Sequence, residues 1–494
     1  MHTSTALIAA LAAISFPQAQ ANPIEARQNV GFTLEQQPYG KRLKNGPIAL
    51  GNLYKKVDAD MPSEVLDAFS VATQSQAPDM LNKNKRQATA AAATKPKPTS
   101  TSTSSSSIRT TSSSSSSSSS SVRTTSSSTS SSSIRTTTSS SSSSSIRTTS
   151  SSSSTSTKAS STYQSGSAVA TPVNEFDTAY MIPITVGGTT VYVDVDTGSS
   201  DLWVLSNLQP SSQTSGHNIY SPSASNLKSG YSWNVTYLDG STASGAVYND
   251  TVGMGGMTFK GQSVEAAKTA SDAFVDAAYD GMLGLAFDVL NTVQPVQQKT
   301  LFNSIKSQLP SPVFTSLLKH NAPGSFDFGY VDSKKYTGAI TYSNVDTSNG
   351  WWQFNANGYS IGSGAAVSQT FASVVDTGTT LMVLPSTIVT AYYAKVTNAS
   401  YWSDYGAWVY PCSATLPNFN LIVNGAAQTI PGSLMTYGPI DYNGNCYGGL
   451  QQNDNIGVAI LGTIFIKSQF VVYDQSTTPP RVGFAKQAGL SYTS

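Results

Sequence analysis

Short apolar runs with a two-residue period dominate residues 171–494 of this chain. They are rich in Val, Ile, Thr, Tyr and Phe and are broken by Gly, Asn, Asp, Ser and Pro, a pattern typical of β-strands joined by turns. Tyr180–Val186 and Thr190–Asp196, separated by a Gly-Gly pair, predict a hairpin. Helical periodicity is confined to short stretches such as Leu301–Gln308 and Ser386–Val396. The pattern therefore predicts an all-β fold.

One predicted strand ends in a turn that carries a carboxylate. Alternating valines lead into Asp196-Thr197-Gly198-Ser199. Gly198 permits a tight turn, and the hydroxyls of Thr197 and Ser199 can hydrogen-bond a carboxylate or the neighbouring backbone. Taken alone, the motif fits an ordinary turn better than a catalytic site.

A second copy of this turn lies 180 residues further along the chain. Its residues are Asp376, Thr377, Gly378 and Thr379. An apolar Leu-Gly element follows each copy: Gly284 lies 88 residues after Asp196, and Gly462 lies 86 residues after Asp376. Two landmarks repeated at nearly the same interval predict a duplicated unit with one carboxylate in each half.

Composition divides the chain into four predicted segments. They are a secretory signal peptide at 1–21, a propeptide at 22–86, a disordered Ser/Thr-rich segment at 87–170, and a folded unit at 171–494 whose lobes cover about 171–345 and 346–494. The signal follows from a short apolar run and a small-residue cleavage site. The propeptide ends at the dibasic pair Lys85-Arg86, although an exposed charged linker also fits these residues. The Ser/Thr-rich segment lacks the apolar residues that a core requires.

Charge and cysteine content narrow the possible functions. Residues 171–494 carry 12 Lys/Arg and 20 Asp/Glu, a net charge of −8, which argues against a nucleic-acid partner. The two cysteines, Cys412 and Cys446, most simply form one disulfide in a secreted chain. His217 and His320 are isolated in the sequence, which disfavours both a zinc site and a Ser-His-Asp nucleophile. We expect no metal or other cofactor, and no membrane anchor because no later apolar run is long enough to span a bilayer.

The paired turns predict a definite chemistry if folding brings them together. Two adjacent carboxylates cannot both ionise easily, so they share a proton over an acidic range. One carboxylate can then take a proton from a water held between them, while the other donates a proton to the carbonyl that the water attacks. Two alternatives are a non-catalytic secreted binding module and a glycosidase whose paired acids lie about 5 Å or more apart.

In these residues and motifs, the segment 171–494 resembles the pepsin-type aspartic proteases, specifically their secreted fungal branch. The resemblance implies a bilobal all-β fold with the active site between two lobes, and an endopeptidase in which Asp196 and Asp376 are catalytic. It also implies supporting roles for Thr197, Gly198, Ser199, Thr377, Gly378 and Thr379. Ser199 and Thr379 would hydrogen-bond the outer oxygens of the two aspartates.

The resemblance further assigns residues that meet the substrate. A hairpin around Tyr237 would be the flap, and the Tyr237 hydroxyl would bond to Trp203. The other flap and pocket residues are Asp239, Ser241, Phe274 and Met282; Phe274 and Met282 fit a core position equally well. The implied preference is for bulky apolar residues on both sides of the cut bond, and Asp239 would also allow lysine.

In the family, a basic propeptide covers the cleft until acid releases it. Lys55 or Lys56 is the candidate for the lysine that pairs with the aspartates. We therefore expect an extracellular monomer that acts on protein or peptide substrates, with its own propeptide as an intramolecular inhibitor. Three features depart from the family pattern. Leu238 replaces a glycine, Thr463 replaces an aspartate near the second catalytic group, and a long Ser/Thr-rich segment separates the propeptide from the catalytic unit. Sequons predict N-glycosylation at Asn234, Asn249 and Asn398.

Overall fold

The computed structural model describes residues 46–56, 59–72, 163–237, 241–441 and 443–491 of the chain. The predicted signal peptide, the Lys85-Arg86 pair and almost all of the Ser/Thr-rich segment lie outside the described residues. So do Leu238 and Asp239 at the predicted flap tip.

Strands far outnumber helices in the described chain, which confirms the predicted fold class. The first strands are β1 (Gly166–Pro172), β2 (Tyr180–Val186), β3 (Thr189–Asp196), β4 (Leu202–Val204), β5 (Leu227–Thr236), β6 (Thr242–Met254), β7 (Met257–Ala270), β8 (Gly281–Gly284), β9 (Val313–Lys319), β10 (Ala322–Phe328) and β11 (Tyr336–Asn344). The later strands are β12 (Gln353–Ile361), β13 (Val367–Val375), β14 (Met382–Leu384), β15 (Ser400–Trp402), β16 (Ala407–Pro411), β17 (Phe419–Val423), β18 (Ala426–Ile430), β19 (Thr436–Pro439), β20 (Asn445–Gly448), β21 (Leu450–Gln452), β22 (Ala459–Leu461), β23 (Gln469–Asp474) and β24 (Arg481–Gln487).

The helices are short. They are α1 (Gly46–Lys56), α2 (residues 63–72), α3 (Asp272–Val275), α4 (Leu301–Ile305), α5 (Ser386–Tyr393) and α6 (Thr463–Ile466). The predicted helix at 301–308 is present as α4 followed by a 3₁₀ turn at Lys306–Gln308. The predicted helix at 386–396 keeps α-helical geometry only to Tyr393, after which hydrogen bonds of the tighter i to i+3 type carry the chain to Val396.

The strands of the described residues form three sheets. The largest has the order β11-β24-β23-β9-β10-β1-β2-β3-β8-β4-β7-β6-β5, and the two smaller ones are β18-β17-β12-β13-β22-β14-β21 and β15-β16-β20-β19. The predicted β2–β3 hairpin is present and turns through Gly187 and Gly188, both at positive φ. The last two strands, β23 and β24, hydrogen-bond to β9 and β11 of the first half. The C-terminal end of the fold is thereby built into the sheet of the first half.

The two halves repeat one local arrangement, which confirms the predicted duplication. In the first half, β3 pairs in parallel with β8, and β8 pairs antiparallel with β4. In the second half, β13 pairs in parallel with β22, and β22 pairs antiparallel with β14. Each Asp-Thr-Gly turn therefore leaves the first strand of an equivalent three-stranded unit, and each Leu-Gly element lies on the strand beside it.

Apolar packing beneath the two turns fixes both units. Val195, Val375, Leu283 and Leu461 are almost fully buried in the main hydrophobic core. Complete burial of an aliphatic side chain contributes roughly 1.5–3 kcal/mol relative to exposure. In the second half, a disulfide joins Cys412 to Cys446 with a Cα–Cα distance of 4.9 Å, as predicted. None of the described helices is long and apolar enough to cross a membrane.

Candidate active site

The two Asp-Thr-Gly turns meet through a reciprocal set of hydrogen bonds. The backbone N–H of Thr197 donates to Thr377 Oγ1, and the N–H of Thr377 donates to Thr197 Oγ1, each at 3.0 Å. The two hydroxyls donate in turn across the interface, Thr197 to the Val375 carbonyl at 2.9 Å and Thr377 to the Val195 carbonyl at 2.6 Å. Each threonine thus hydrogen-bonds to the backbone of the other half, and these bonds hold the two turns together.

This contact brings the first carboxylate against the second turn. A Cβ atom built on Gly378 would lie 2.3 Å from Asp196 Oδ1, which leaves no space for any residue but glycine. The N–H of Gly198 donates to Asp196 Oδ1 at 2.8 Å, and the N–H of Gly378 donates to Asp376 Oδ1 at 3.0 Å. Both aspartates are about 2% exposed. The carboxylates are therefore similarly oriented by their own turns.

Only one of the two outer hydroxyls makes the hydrogen bond that the resemblance implied. Thr379 donates a short hydrogen bond to Asp376 Oδ2 as expected. Ser199 Oγ is buried but makes no hydrogen bond to any described residue, so the expected bond to Asp196 is missing. The branched Cβ of threonine restricts its rotamer, whereas serine lacks that restriction. The two halves are thus supported unequally.

The Leu-Gly elements lock the turns from behind. The N–H of Leu285 donates to the Asp196 carbonyl at 2.8 Å, and the N–H of Asp376 donates to the Leu461 carbonyl at 3.2 Å. A Cβ on Gly284 would lie 2.6 Å from the backbone of Ser200, and one on Gly462 would lie 2.3 Å from the Leu381 carbonyl oxygen. Both positions require glycine because the neighbouring backbone passes too close to leave space for a side chain.

A chain of aromatic contacts connects the first turn to the predicted flap. Trp203 Nε1 donates to the Tyr237 hydroxyl at 2.8 Å, as the resemblance implied. The ring centroid of Phe274 lies 4.8 Å from that of Trp203 and 5.3 Å from that of Tyr237. Met282 belongs to the same apolar cluster, and the N–H of Tyr237 donates to the Ser241 carbonyl at 2.8 Å across the hairpin. The structure therefore brings together the predicted flap and pocket residues that it describes.

A pair of acids lies beneath this aromatic cluster, and the sequence did not reveal it. Asp201 and Glu265 are each about 1% exposed, and one amide nitrogen of Asn291 donates to both, at 2.7 and 3.0 Å. Burial raises the pKa of Asp201 to about 6. Burial and the nearby Asp201 charge raise the pKa of Glu265 well above its usual range. Glu265 is therefore neutral under acidic conditions.

A buried ion pair supports the second turn from the other side. Lys467 Nζ lies 3.0 Å from Asp177 Oδ2, and His320 Nδ1 lies 2.5 Å from the same oxygen. Burial opposes the ionisation of Asp177, but the hydrogen bonds and the Lys467 charge outweigh it and lower its pKa. Thr463 Oγ1 donates to the Asp177 carbonyl at 3.2 Å, and its N–H donates to the Thr379 carbonyl at 2.8 Å. The neutral residue Thr463 thus lies beside the turn that carries Asp376.

Other predicted residues are placed as follows. Asn234, Asn249 and Asn398 are exposed. The backbone of Lys55 and Lys56 ends α1, while their side chains are outside the described part of the structure. Among the described residues, His, Cys, Asp and Glu form no group of three or more that could hold a metal ion.

Comparison with known proteins identifies the family to which this chain belongs. The sequence profile of the family described as eukaryotic aspartyl protease matches residues 179–487. That span covers both turns, the flap hairpin and both Leu-Gly elements, and the chain belongs to this family. The resemblance found in the sequence is thereby confirmed, and the protein is an aspartic-type endopeptidase.

Within this family, the chain is similar in sequence to fungal proteases. The chain is 52% identical over 325 residues to penicillopepsin-3 from Penicillium janthinellum, covering 65% of this chain and 82% of that protein. It is 50% identical over 327 residues to aspergillopepsin-1 from Aspergillus fumigatus, covering 66% of this chain and 82% of that protein. The crystal structure of an aspartic proteinase from Irpex lacteus matches with a TM-score of 0.54 at 24% identity, covering 66% of this chain and 98% of that one, and supports the bilobal all-β fold.

Proposed function

We propose that this protein is a secreted endopeptidase, made as a zymogen, in which Asp196 and Asp376 activate one water to hydrolyse peptide bonds beside bulky apolar residues. The observation that carries the proposal is the reciprocal threonine bonding at 3.0 Å, which joins the two aspartate-bearing turns. A binding module would gain nothing from holding two carboxylates together, because like charges at close range are costly.

The residues around the pair suggest how the reaction proceeds. Both aspartates accept a backbone N–H on Oδ1, and Asp376 Oδ2 also accepts the Thr379 hydroxyl, so the two carboxyl groups are oriented to hold a water between them. One carboxylate removes a proton from this water as it attacks the peptide carbonyl. The protonated partner donates to the carbonyl oxygen, and the resulting tetrahedral species collapses when the first carboxylate passes the proton of the water to the leaving nitrogen and the partner takes its own proton back. Holding the groups in place before reaction lowers the entropic cost of the step.

Apolar side chains near the pair support the proposed substrate preference. On the first half these are Phe274, Met282 and the ring of Tyr237, which share one cluster with Trp203. On the second half, Val374 lies two residues before Asp376 and pairs in register with Ile460 on β22. Burying a bulky apolar substrate side chain among such residues is favourable because it removes apolar surface from water.

The segment before the folded unit supports a zymogen. Leu50, Leu53 and Tyr54 of α1 and Val65 of α2 are buried in one cluster with the second half. Their partners include Val374, Leu381, Val383 and Ile460, which lie on the strands and turn next to Asp376. The Tyr54 hydroxyl also donates to the Gln452 carbonyl at 3.4 Å. The helices therefore cover the apolar face that we assign to substrate, and cleavage at Lys85-Arg86 would allow them to leave.

Secretion is supported by separate features. The disulfide between Cys412 and Cys446 requires an oxidising compartment to persist. The exposed side chains of Asn234, Asn249 and Asn398 are accessible for N-glycosylation.

Digestion of an unfolded protein by purified secreted material tests the proposal. We expect cleavage at acidic pH, inhibition by a pepstatin-type compound, cut sites flanked by bulky apolar residues in mass spectra, and a mature N-terminus beyond Arg86. Asp196→Asn should abolish cleavage, whereas Glu175→Gln, which alters an exposed acid, should not. Unchanged cleavage by Asp196→Asn would overturn the catalytic assignment, and cuts without apolar preference would overturn the substrate assignment alone.

A further inference from the structure

His217 is buried between two hydrogen-bond acceptors. Its side chain is 3% exposed, and that of Asp280 is 0% exposed. His217 Nδ1 lies 3.1 Å from Asp280 Oδ1, and His217 Nε2 lies 2.9 Å from the carbonyl oxygen of Val275. Val275 is the last residue of α3, so the histidine joins this helix to the residue that precedes β8.

The two acceptors determine the protonation of the ring. A carbonyl oxygen can only accept, and the Asp280 carboxylate already accepts three N–H groups, two from Asn218 and one from the Tyr192 backbone. A neutral imidazole has one N–H, whereas an imidazolium has two. Both bonds of His217 therefore form together only when the ring carries two protons.

We propose that His217 is a pH-dependent positioning residue whose doubly protonated form holds α3, and with it Phe274, against Tyr237. Phe274 immediately precedes Val275 and packs edge-on against both Trp203 and Tyr237, at centroid distances of 4.8 and 5.3 Å. The hydrogen bond between His217 and the Val275 carbonyl thus helps to position Phe274, which forms part of the aromatic wall of the proposed pocket. The inference rests on the proposed assignment of Phe274 and Tyr237 to the substrate pocket.

Loss of one proton to solvent breaks a specific contact. The carboxylate is the stronger acceptor, so the remaining N–H stays on Nδ1 and faces Asp280. Nε2 then presents a lone pair to the Val275 carbonyl, and the bond between them is lost. The pocket wall is therefore fixed while the ring holds both protons, and it loosens as the pH rises and one proton is lost.

The groups around His217 favour the charged ring. Asp280 and Tyr279 lie next to β8, Asp272 and Asp276 lie at the two ends of α3, and Tyr192 belongs to β3. Asp272 and Asp276 are exposed. These groups are carboxylates and tyrosines, which attract a positive charge or leave it unopposed, while Lys268 of β7, the strand that packs against α3, is exposed.

Nitrogen NMR of the purified enzyme labelled at histidine tests the protonation directly. The chain contains three histidines, so the His217 signals can be assigned with His217→Asn as a reference. We expect both ring nitrogens to be protonated at about pH 4–5 and the Nδ1–H tautomer to replace this form as the pH rises. A ring that is neutral at about pH 4–5, or a neutral form protonated on Nε2, would overturn the proposal.

Substrate selectivity tests the consequence for the pocket. The measured quantity is the ratio of kcat/KM for two peptides that carry Phe or Ala before the cut bond, since titration of the catalytic pair affects both equally. Between about pH 5 and pH 7 we expect this ratio to fall roughly three- to tenfold in the unaltered enzyme. His217→Gln, whose amide can still donate to Val275, should show a flat ratio, and His217→Asn, which reaches only Asp280, should show a low ratio at every pH.

The outcomes separate this inference from the proposed function. A pH-independent ratio in the unaltered enzyme, or the same fall in His217→Gln, contradicts the role of His217 even if Asp196→Asn is inactive. Residual cleavage by Asp196→Asn contradicts the catalytic assignment and leaves the NMR result valid. If either variant fails to fold, the pH series on the unaltered enzyme still decides.

Discussion

Single residues support the two carboxylates unequally. Thr379 hydrogen-bonds Asp376 Oδ2, but the equivalent hydroxyl of Ser199 makes no hydrogen bond to the described residues. The second aspartate is therefore held at both oxygens by its own turn, whereas the Ser199 hydroxyl gives the first aspartate no equivalent support.

This asymmetry predicts unequal effects of removing the two hydroxyls. Thr379→Ala should lower kcat by roughly tenfold or more, because it removes a hydrogen bond to a charged group. Ser199→Ala should lower kcat by less than about threefold, since no bond is lost. Thr379→Ser, which keeps the hydroxyl, is the matched control and should retain most of the activity. Equal losses in Thr379→Ala and Ser199→Ala, measured with one peptide substrate, would show that the hydroxyls are equivalent.

Residue-level predictions depend on a local signal in the sequence. Asp196 and Asp376 could be found because each lies in a short motif and the motif recurs. The rotamer of Ser199 and the acid pair of Asp201 and Glu265 could not be found, because both depend on side chains brought together only by folding. Asp201 and Glu265 are 64 residues apart in the sequence.

Between elements, the acid pair joins the region around β4 to β7. Asp201 precedes β4, and Glu265 lies on β7 opposite Trp203 in the parallel pairing of the two strands. No positive side chain bonds to either acid within the described residues. A folded state that keeps protons on these groups loses stability as the pH rises, because the unfolded chain releases them at lower pH.

Glu265→Gln should make the protein less sensitive to alkaline pH. With a folded pKa of about 6 against an ordinary value of 3.8, ionisation of Asp201 alone lowers the free energy of unfolding by about 2 kcal/mol between pH 4 and pH 7. The loss continues at higher pH as Glu265 ionises, whereas the glutamine amide of the variant cannot ionise. Urea unfolding at pH 4, 6 and 8, in an Asp196→Asn background to prevent self-digestion, should show a smaller loss above pH 6 in the variant. Equal losses would contradict this account.

Helices α1 and α2 approach too closely at one point for any residue larger than glycine. A Cβ on Gly51 would lie 2.1 Å from Cδ2 of Phe69, a separation that real atoms do not tolerate. Gly51→Ala should separate the helices and weaken their grip on the second half. We expect the unprocessed chain to mature roughly threefold faster at about pH 4, as followed on gels. Val71→Ala, at a position 67% exposed, is the control; identical rates in the two variants would argue against α1–α2 packing as a restraint.

Element boundaries were predicted well where periodicity was strong. The β2–β3 hairpin was predicted to within one residue because alternating apolar residues flank a Gly-Gly turn. The end of α5 was placed three residues too late because the apolar periodicity continues into a tighter turn of the chain. Periodicity reports which face is buried but does not distinguish an α-helical last turn from a 3₁₀ one.

At the scale of the whole molecule, the arrangement of the two halves depends on long-range strand pairing, which the sequence pattern does not predict. The duplication predicted two equivalent three-stranded units, and the structure contains them. The sequence pattern did not predict that β23 and β24 pair with β9 and β11. It also did not predict the ion pair between Lys467 and Asp177, which are 290 residues apart in the sequence. Such contacts depend on how the halves pack rather than on local propensity.

The central claim is that Asp196 and Asp376 act as one unit on one water, and a double-mutant cycle tests it most directly. kcat/KM is measured for the unaltered enzyme, Asp196→Asn, Asp376→Asn and the double variant at about pH 4. Residues that act as a unit give grossly non-additive losses, so each single substitution should cost at least about a thousandfold and the double variant little more. Losses that multiply, or either single variant keeping a tenth of the activity, would contradict the account.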